Sequence, residues 1–172
     1  MAHVYLYGEL VQVPDEDLLS LIGLELEGIL SLAEAMHRSH ISGFPDIEGN
    51  QWKKVADGYV RQLHQVYPQV KDGELKGLLG ILTEHVQKLS ETDTGLLRLV
   101  AKSVDSTLPR TANERIRFTR RVDNRLKENV GSFWRSLYPE EFKALLDASK
   151  RSSQQIKEVA ENALQRISEV SD

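Results

Sequence analysis

The chain has 172 residues, 40% of them apolar and 28% charged, with a formal charge of −4. That length and composition suit a single globular domain that buries its own core, and they lie far from the low-hydrophobicity balance of a disordered chain. The lack of cysteine excludes disulfides, thiolate metal ligands and a cysteine nucleophile, so redox chemistry gives no indication of compartment.

The opening residues, MAHVYLYGELVQV, have neither the basic region nor the uninterrupted apolar stretch of a secretory signal, and no later run is apolar for long enough to span a bilayer. A cytoplasmic location is expected, with a nuclear one left open. Val4, Leu6, Leu10, Val11 and Val13 suggest a short extended segment. Pro14 and Asp15 then begin a long helix reaching about His40, where Glu16 and Asp17 complement the positive end of the helix dipole. Within it Leu18, Leu19, Ile22, Leu26, Ile29, Leu30, Ala33 and Met36 recur at steps of three and four, the stripe by which an amphipathic helix faces a core. Gly23 and Gly28 interrupt this helix. Each weakens it by about 1 kcal/mol relative to alanine, so a bend or a close helix contact is expected there.

SHISGFPDIEGN reads as a loop from its glycine, proline and serine content. A second helix carries Trp52, Val55, Ala56, Tyr59, Val60, Leu63, Val66 and Tyr67 and ends at Pro68. A third runs through Leu75, Leu78, Leu79, Leu82, Val86 and Leu89, and ETDTG separates it from a fourth holding Leu96, Leu99, Val100 and Val104. Pro109 and Thr111 open a fifth. Pro139 suits the first turn of a sixth, which carries Phe142, Leu145 and Leu146. From about Ser152, residues Ile156, Ala160, Ala163, Ile167 and Val170 recur at heptad-like spacing, so residues 152–172 are expected to form an amphipathic helix that docks or self-associates. The predicted class is all-α: one domain over residues 1–172, a bundle of about six helices after a short extended segment. A short stack of helical hairpins is the alternative architecture.

Familiar catalytic signatures are missing from the sequence. GELKGLLG lacks the Lys-Ser/Thr ending of a phosphate-binding loop, and there is no Gly-x-Ser-x-Gly elbow, His-Glu-x-x-His helix or EF-hand loop. Glu34, His37 and His40 have a metal-like spacing on one helix, but a carboxylate-bridged bundle site needs a second Glu-x-x-His, which the chain lacks. The negative end of the helix dipole favours histidine as well, giving His37 and His40 a capping, solvent-facing role. No catalytic residue and no cofactor is assigned. Trp52, Tyr59, Phe133, Trp134 and Tyr138 lie on or beside apolar stripes and are expected in the core rather than on a base-stacking platform.

The distinctive stretch is RTANERIRFTRRVDNRLKEN, residues 110–129. Seven basic and two acidic residues between 110 and 127 give that segment a charge of +5 and leave the rest of the chain at −9. On a helical wheel of about 100° per residue, Ile116, Val122, Leu126, Val130, Phe133, Trp134 and Leu137 share one arc. Arg110, Arg117, Arg121, Arg125 and Arg135 lie roughly opposite, with Arg120 and Lys127 at the flank. Arg115 falls in the apolar arc, where it needs a carboxylate partner. Arg117, Arg121 and Arg125 follow at i, i+4, a like-charge spacing that costs roughly 0.2–0.5 kcal/mol per pair. Glu114, Asp123 and Glu128 relieve part of that cost, so an ordinary solvated helix face stands as an alternative to a binding surface.

Six of the seven basic residues are arginine. The planar guanidinium grips carboxylate or phosphate in a bidentate manner, whereas lysine serves equally well for solvation alone. The expected function is a non-enzymatic helical interaction subunit of a larger assembly, with Arg110, Arg117, Arg120, Arg121, Arg125, Lys127 and Arg135 as its binding surface. Its partner is expected to be an acidic protein surface or another copy of the chain. The alternatives are a subunit that contacts a nucleic-acid backbone through Arg117, Arg121 and Arg125, and then a metal-dependent enzyme centred on Glu34, His37 and His40. A membrane surface fits poorly, because Phe118 alone adds an apolar group beside the basic face.

Overall fold

The extended segment folds as an antiparallel hairpin of β1 (Ala2–Leu6) and β2 (Glu9–Val13), with Ala2 opposite Val13 and Val4 opposite Val11. The computed structural model describes residues 1–6, 9–42, 51–105 and 138–171. Alternation puts Ala2, Val4 and Val13 in the core and leaves His3 and Gln12 exposed. The outer edge of β1 does not end in bare backbone. Gln69 Oε1 accepts the His3 N–H at 2.7 Å and Gln69 Nε2 donates to the His3 carbonyl at 2.8 Å, so one side-chain amide stands in for a neighbouring strand.

Four α-helices follow among the described residues: α1 (Asp15–Ser42), α2 (Gln51–Val66), α3 (Gly73–Asp105) and α4 (Pro139–Ser171). A single 3-10 turn, Tyr67–Gln69, with Pro68 in its first turn, joins α2 to the start of α3. Asp72 caps α3, accepting the Leu75 N–H on Oδ2 at 2.9 Å. The all-α class therefore holds, but the six helices predicted are four here. The expected fifth helix lies outside the described residues, and the third and fourth are one helix of 33 residues.

ETDTG does not break α3, and both of its threonines and one oxygen of Asp93 find partners without leaving the helix. Thr92 Oγ1 bonds back to the Lys88 carbonyl at 3.2 Å, Thr94 Oγ1 to the Ser90 carbonyl at 3.3 Å, and Asp93 has a tertiary partner. Gly95 lies close to α4: a Cβ there would come within 2.7 Å of Leu145 Cδ2, so that side chain would have to turn aside. Likewise α4 runs unbroken from Pro139 through the predicted C-terminal seam. Ile156, Ala160 and Ala163 of that seam are buried in the chain's own core, and Ile167 packs partly buried against it. The seam therefore serves an intramolecular contact, and of its five residues Val170 is the exposed one, at 39%.

The helices alternate in direction. Asp15 of α1 pairs with Lys71 just before α3, and His40 meets Asp93, so α1 and α3 run parallel. Arg166 of α4 reaches Asp72, while Gly95 meets Leu145, so α4 runs antiparallel to α3. The groove between Leu30, Ala33, Glu34 and Ser153, Gln154, Lys157 shows the same for α1 and α4. The result is an up-down-up-down bundle rather than a stack of hairpins, with its core formed by Leu18, Ile22, Leu26, Ile29, Leu63, Leu75, Leu79, Leu82 and Ile156. The close contact expected in α1 is at Gly28, where a Cβ would lie 3.1 Å from Tyr59 Cζ; Gly23 has nothing near it.

Candidate functional site

The apolar stripes of three helices each contain a polar residue at the same end of the bundle. In α1 the stripe of Ile29, Ala33 and Met36 continues to His40; in α3 that of Val86 and Leu89 continues to Asp93 and then Leu96. In α4 the steps that place Ile156, Ala160 and Ala163 in the core place Ser152 and Ser149 there too. His40, Asp93 and Ser149 are 1%, 0% and 0% exposed. Burial of this kind is tolerated only when the polar atoms meet one another.

They do. Ser149 Oγ lies 2.7 Å from His40 Nδ1 and 2.9 Å from His37 Nδ1, and His40 Nε2 lies 3.3 Å from Asp93 Oδ1. Hydrogen-bond roles follow from the donors available. A hydroxyl has one proton to give, so it cannot donate to both rings. With Asp93 ionised and His40 neutral, His40 donates from Nε2 to Asp93 and accepts the Ser149 hydroxyl on Nδ1. Ser149 Oγ then accepts from His37 Nδ1–H. Every contact in the chain His37, Ser149, His40, Asp93 is then a donor facing an acceptor. The second carboxylate oxygen, Asp93 Oδ2, is buried with no hydrogen-bond partner among the described residues.

His37 is the half-buried member of the four. Desolvation, followed by the proximity of His40 and of Lys150, holds its pKa below the ordinary histidine value. The solvent-facing capping role expected of the two histidines is thus corrected: His40 is a core residue, and both rings turn toward α4. Glu34 does not join them. Its carboxylate is exposed and lies 3.8 Å from Arg38. Among the described residues, no group of three or more His, Cys, Asp or Glu side chains could hold a metal ion.

Serine, histidine and aspartate in hydrogen-bonded sequence have the composition of an acyl-transfer triad. Here Ser149 is 0% exposed, packed where α1, α3 and α4 meet, and its hydroxyl is engaged by the two histidines rather than presented at a surface. What the arrangement does is fix the register of α1, α3 and α4 at one end, since a slide of any helix leaves a buried polar group unpaired. Sequence reasoning missed Asp93 and Ser149. The signal was available in the periodicity, because both interrupt a core stripe at a core position.

Arg110, Arg115, Arg117, Arg120, Arg121, Arg125, Lys127 and Arg135, and with them the whole predicted basic face, lie outside the described residues. The described chain fixes where that segment is attached. α3 and α4 are antiparallel, so Asp105 and Tyr138, the described residues on either side of that segment, both lie at the end that holds the polar layer. At the opposite end a cleft of about 500 Å³ lies between the start of α1, the α2–α3 connection and the end of α4. Two of its acids are already paired, Asp15 with Lys71 at 2.7 Å and Asp72 with Arg166 at 2.9 Å. Among the described residues no helix is long and apolar enough to cross a membrane. Comparison with protein-family models, curated proteins and solved structures finds no match to this chain.

Proposed function

We propose that this protein is a non-enzymatic helical subunit of a larger assembly that binds an acidic partner surface through Arg110, Arg117, Arg120, Arg121, Arg125, Lys127 and Arg135. The observation that carries this reading is the charge segregation: +5 within residues 110–127 against −9 elsewhere, with arginine at six of the seven basic positions. The attachment of that segment supports it. Two 33-residue helices, each about 50 Å long by the rise of an α-helix, flank it in sequence, and the end of one and the start of the other lie at one end of a packed bundle. An acidic partner, another copy included, complements the segment in charge, and a cytoplasmic setting fits a binding surface of this kind.

A nucleic-acid backbone is the second reading, favoured by the i, i+4 row of Arg117, Arg121 and Arg125. Such contacts would follow phosphate and carry little sequence specificity. Both readings are tested with wild type and the triple variant Arg117→Glu, Arg121→Glu, Arg125→Glu. Mass by light scattering and capture of partners are compared at low and high salt, beside titrations of single- and double-stranded RNA and DNA. Protein binding predicts complexes that high salt and the triple variant both disrupt; identical complexes for the two proteins refute it. A steep salt slope for nucleic acid that flattens in the variant moves the conclusion to the second reading.

A further inference from the structure

The His37–Ser149–His40–Asp93 chain admits a second, equally complete hydrogen-bond pattern, reached by adding one proton. With His40 doubly protonated, Nδ1–H donates to Ser149 Oγ and Nε2–H to Asp93. The Ser149 hydroxyl then turns to donate to His37 Nδ1, and His37 carries its single proton on Nε2. Both patterns leave each of the three contacts, at 2.9, 2.7 and 3.3 Å, with one donor and one acceptor. Geometry that serves two proton arrangements without moving a heavy atom is that of a relay.

We propose that the Ser149 hydroxyl passes a proton between half-buried His37 and the buried His40–Asp93 pair, so that acidification charges His40 and leaves His37 neutral in its other tautomer. The step balances within the chain. A proton from water bonds to His37 Nε2; the Nδ1–H bond of His37 breaks and that proton bonds to Ser149 Oγ; the original Ser149 O–H breaks and its proton bonds to His40 Nδ1. One proton enters, one positive charge appears on His40, and nothing is oxidised or reduced.

Placement of the charge follows from the neighbours. A charge on His40 faces the Asp93 carboxylate of α3, whose Oδ2 has no hydrogen-bond partner among the described residues. A charge on His37 faces Lys150 of α4, and its own burial already opposes it. On α1, Glu34 is turned to Arg38. Lys88 and Glu91 of α3 and Arg151 of α4 line the neighbouring groove beside Thr92 and Ser152. The relay thus places a pH-dependent charge at the joint of α1, α3 and α4, whatever residues 110–127 bind. Histidine is the side chain whose ordinary titration range suits such a switch.

The test is a long-range proton–nitrogen correlation of the imidazole rings in the ¹⁵N-labelled full chain, followed from pH 8 to pH 5. Expected at the alkaline end are the Nδ1–H tautomer for His37 and the Nε2–H tautomer for His40. On acidification both His40 nitrogens become protonated, and with the same midpoint His37 changes to the Nε2–H tautomer without gaining charge. In Ser149→Ala the two events separate and His37 charges directly. Wild-type His37 becoming imidazolium while His40 keeps its tautomer overturns the proposal, as does a His37 tautomer that stays constant through the range. The wild-type titration decides even where Ser149→Ala does not fold.

Discussion

Arg166, near the end of α4, grips Asp72, the residue that caps α3, through two hydrogen bonds of 2.9 Å from Nε and Nη2. The guanidinium lies in addition 3.1 Å from Glu169 and 3.3 Å from Glu74, so three carboxylates share one cation. One side chain therefore ties the last turns of α4 to the first turn of α3 at the end opposite the polar layer. The fork geometry is what lysine could not reproduce.

That pairing sets an acid limit. The Arg166 hydrogen bonds, helped by the Leu75 N–H, bring the Asp72 carboxyl down to about 2 from its ordinary 3.8. A depressed carboxyl stabilises the fold above its unfolded pKa and loses that contribution as pH falls through the folded value. Arg166→Ala is expected to lower Tm by about 2–4 °C near neutrality. The difference from wild type should shrink as pH falls from about 4 toward about 2. Thermal melts across that range check it, and a difference independent of pH would count against the pairing.

Glu25 behaves in the opposite sense. Burial within α1 pushes its carboxyl from 4.5 up to about 7, and Oε2 is buried without a partner among the described residues. A raised carboxyl favours the fold below its unfolded pKa and costs stability as pH rises through the folded value. Glu25→Gln is therefore expected to be nearly neutral at pH 4 and to stabilise at pH 8 by about 1–2 kcal/mol, allowing for partial solvent access. Urea unfolding at the two pH values measures this, and equal effects at both would refute the burial argument.

The two glycines of α1 should separate under the same substitution. Gly23 has open space where a Cβ would go, so Gly23→Ala is expected to gain about 0.5–1 kcal/mol from helix propensity alone. At Gly28 the added methyl meets the Tyr59 hydroxyl end of α2, so Gly28→Ala forfeits that gain and pushes the α1–α2 contact apart. Chemical denaturation of the pair reads the contrast. Equal gains at both sites would mean that Tyr59 moves freely.

Within the polar layer the cost lies in leaving one partner behind. His40→Leu leaves the buried Asp93 carboxylate without its partner and is expected to cost about 3–5 kcal/mol, while His40→Leu combined with Asp93→Leu recovers most of the loss. A double-mutant cycle in urea gives the coupling. Additive single effects would show that the two side chains do not depend on each other.

The helical class, the places where α1 and α4 begin and α2 ends, and the identity of most core residues follow from sequence, because each rests on local rules. Pro14 with Asp15, Pro68 and Pro139 mark boundaries through backbone chemistry, and apolar steps of three and four mark the buried face whatever packs on it. Helix continuity does not follow. ETDTG has the composition of a loop, yet in the folded chain Thr92 and Thr94 bond back to the Lys88 and Ser90 carbonyls, Asp93 meets His40, and the helix continues. In the same way, the spacing of Ile156 to Val170 reveals an apolar seam but not its partner, which proves to be the bundle's own core.

The polar layer marks the limit most sharply. Sequence periodicity places His40, Asp93 and Ser149 each on a core stripe, yet residues 53 and 56 apart along the chain carry no local sign that they meet. What sequence determined by itself was the arginine-rich charge of residues 110–127, because charge is a property of composition. What only tertiary structure decided was which buried donor faces which acceptor, because a hydrogen bond depends on ångström distances between helices, and those are fixed by packing rather than by any one helix's residues.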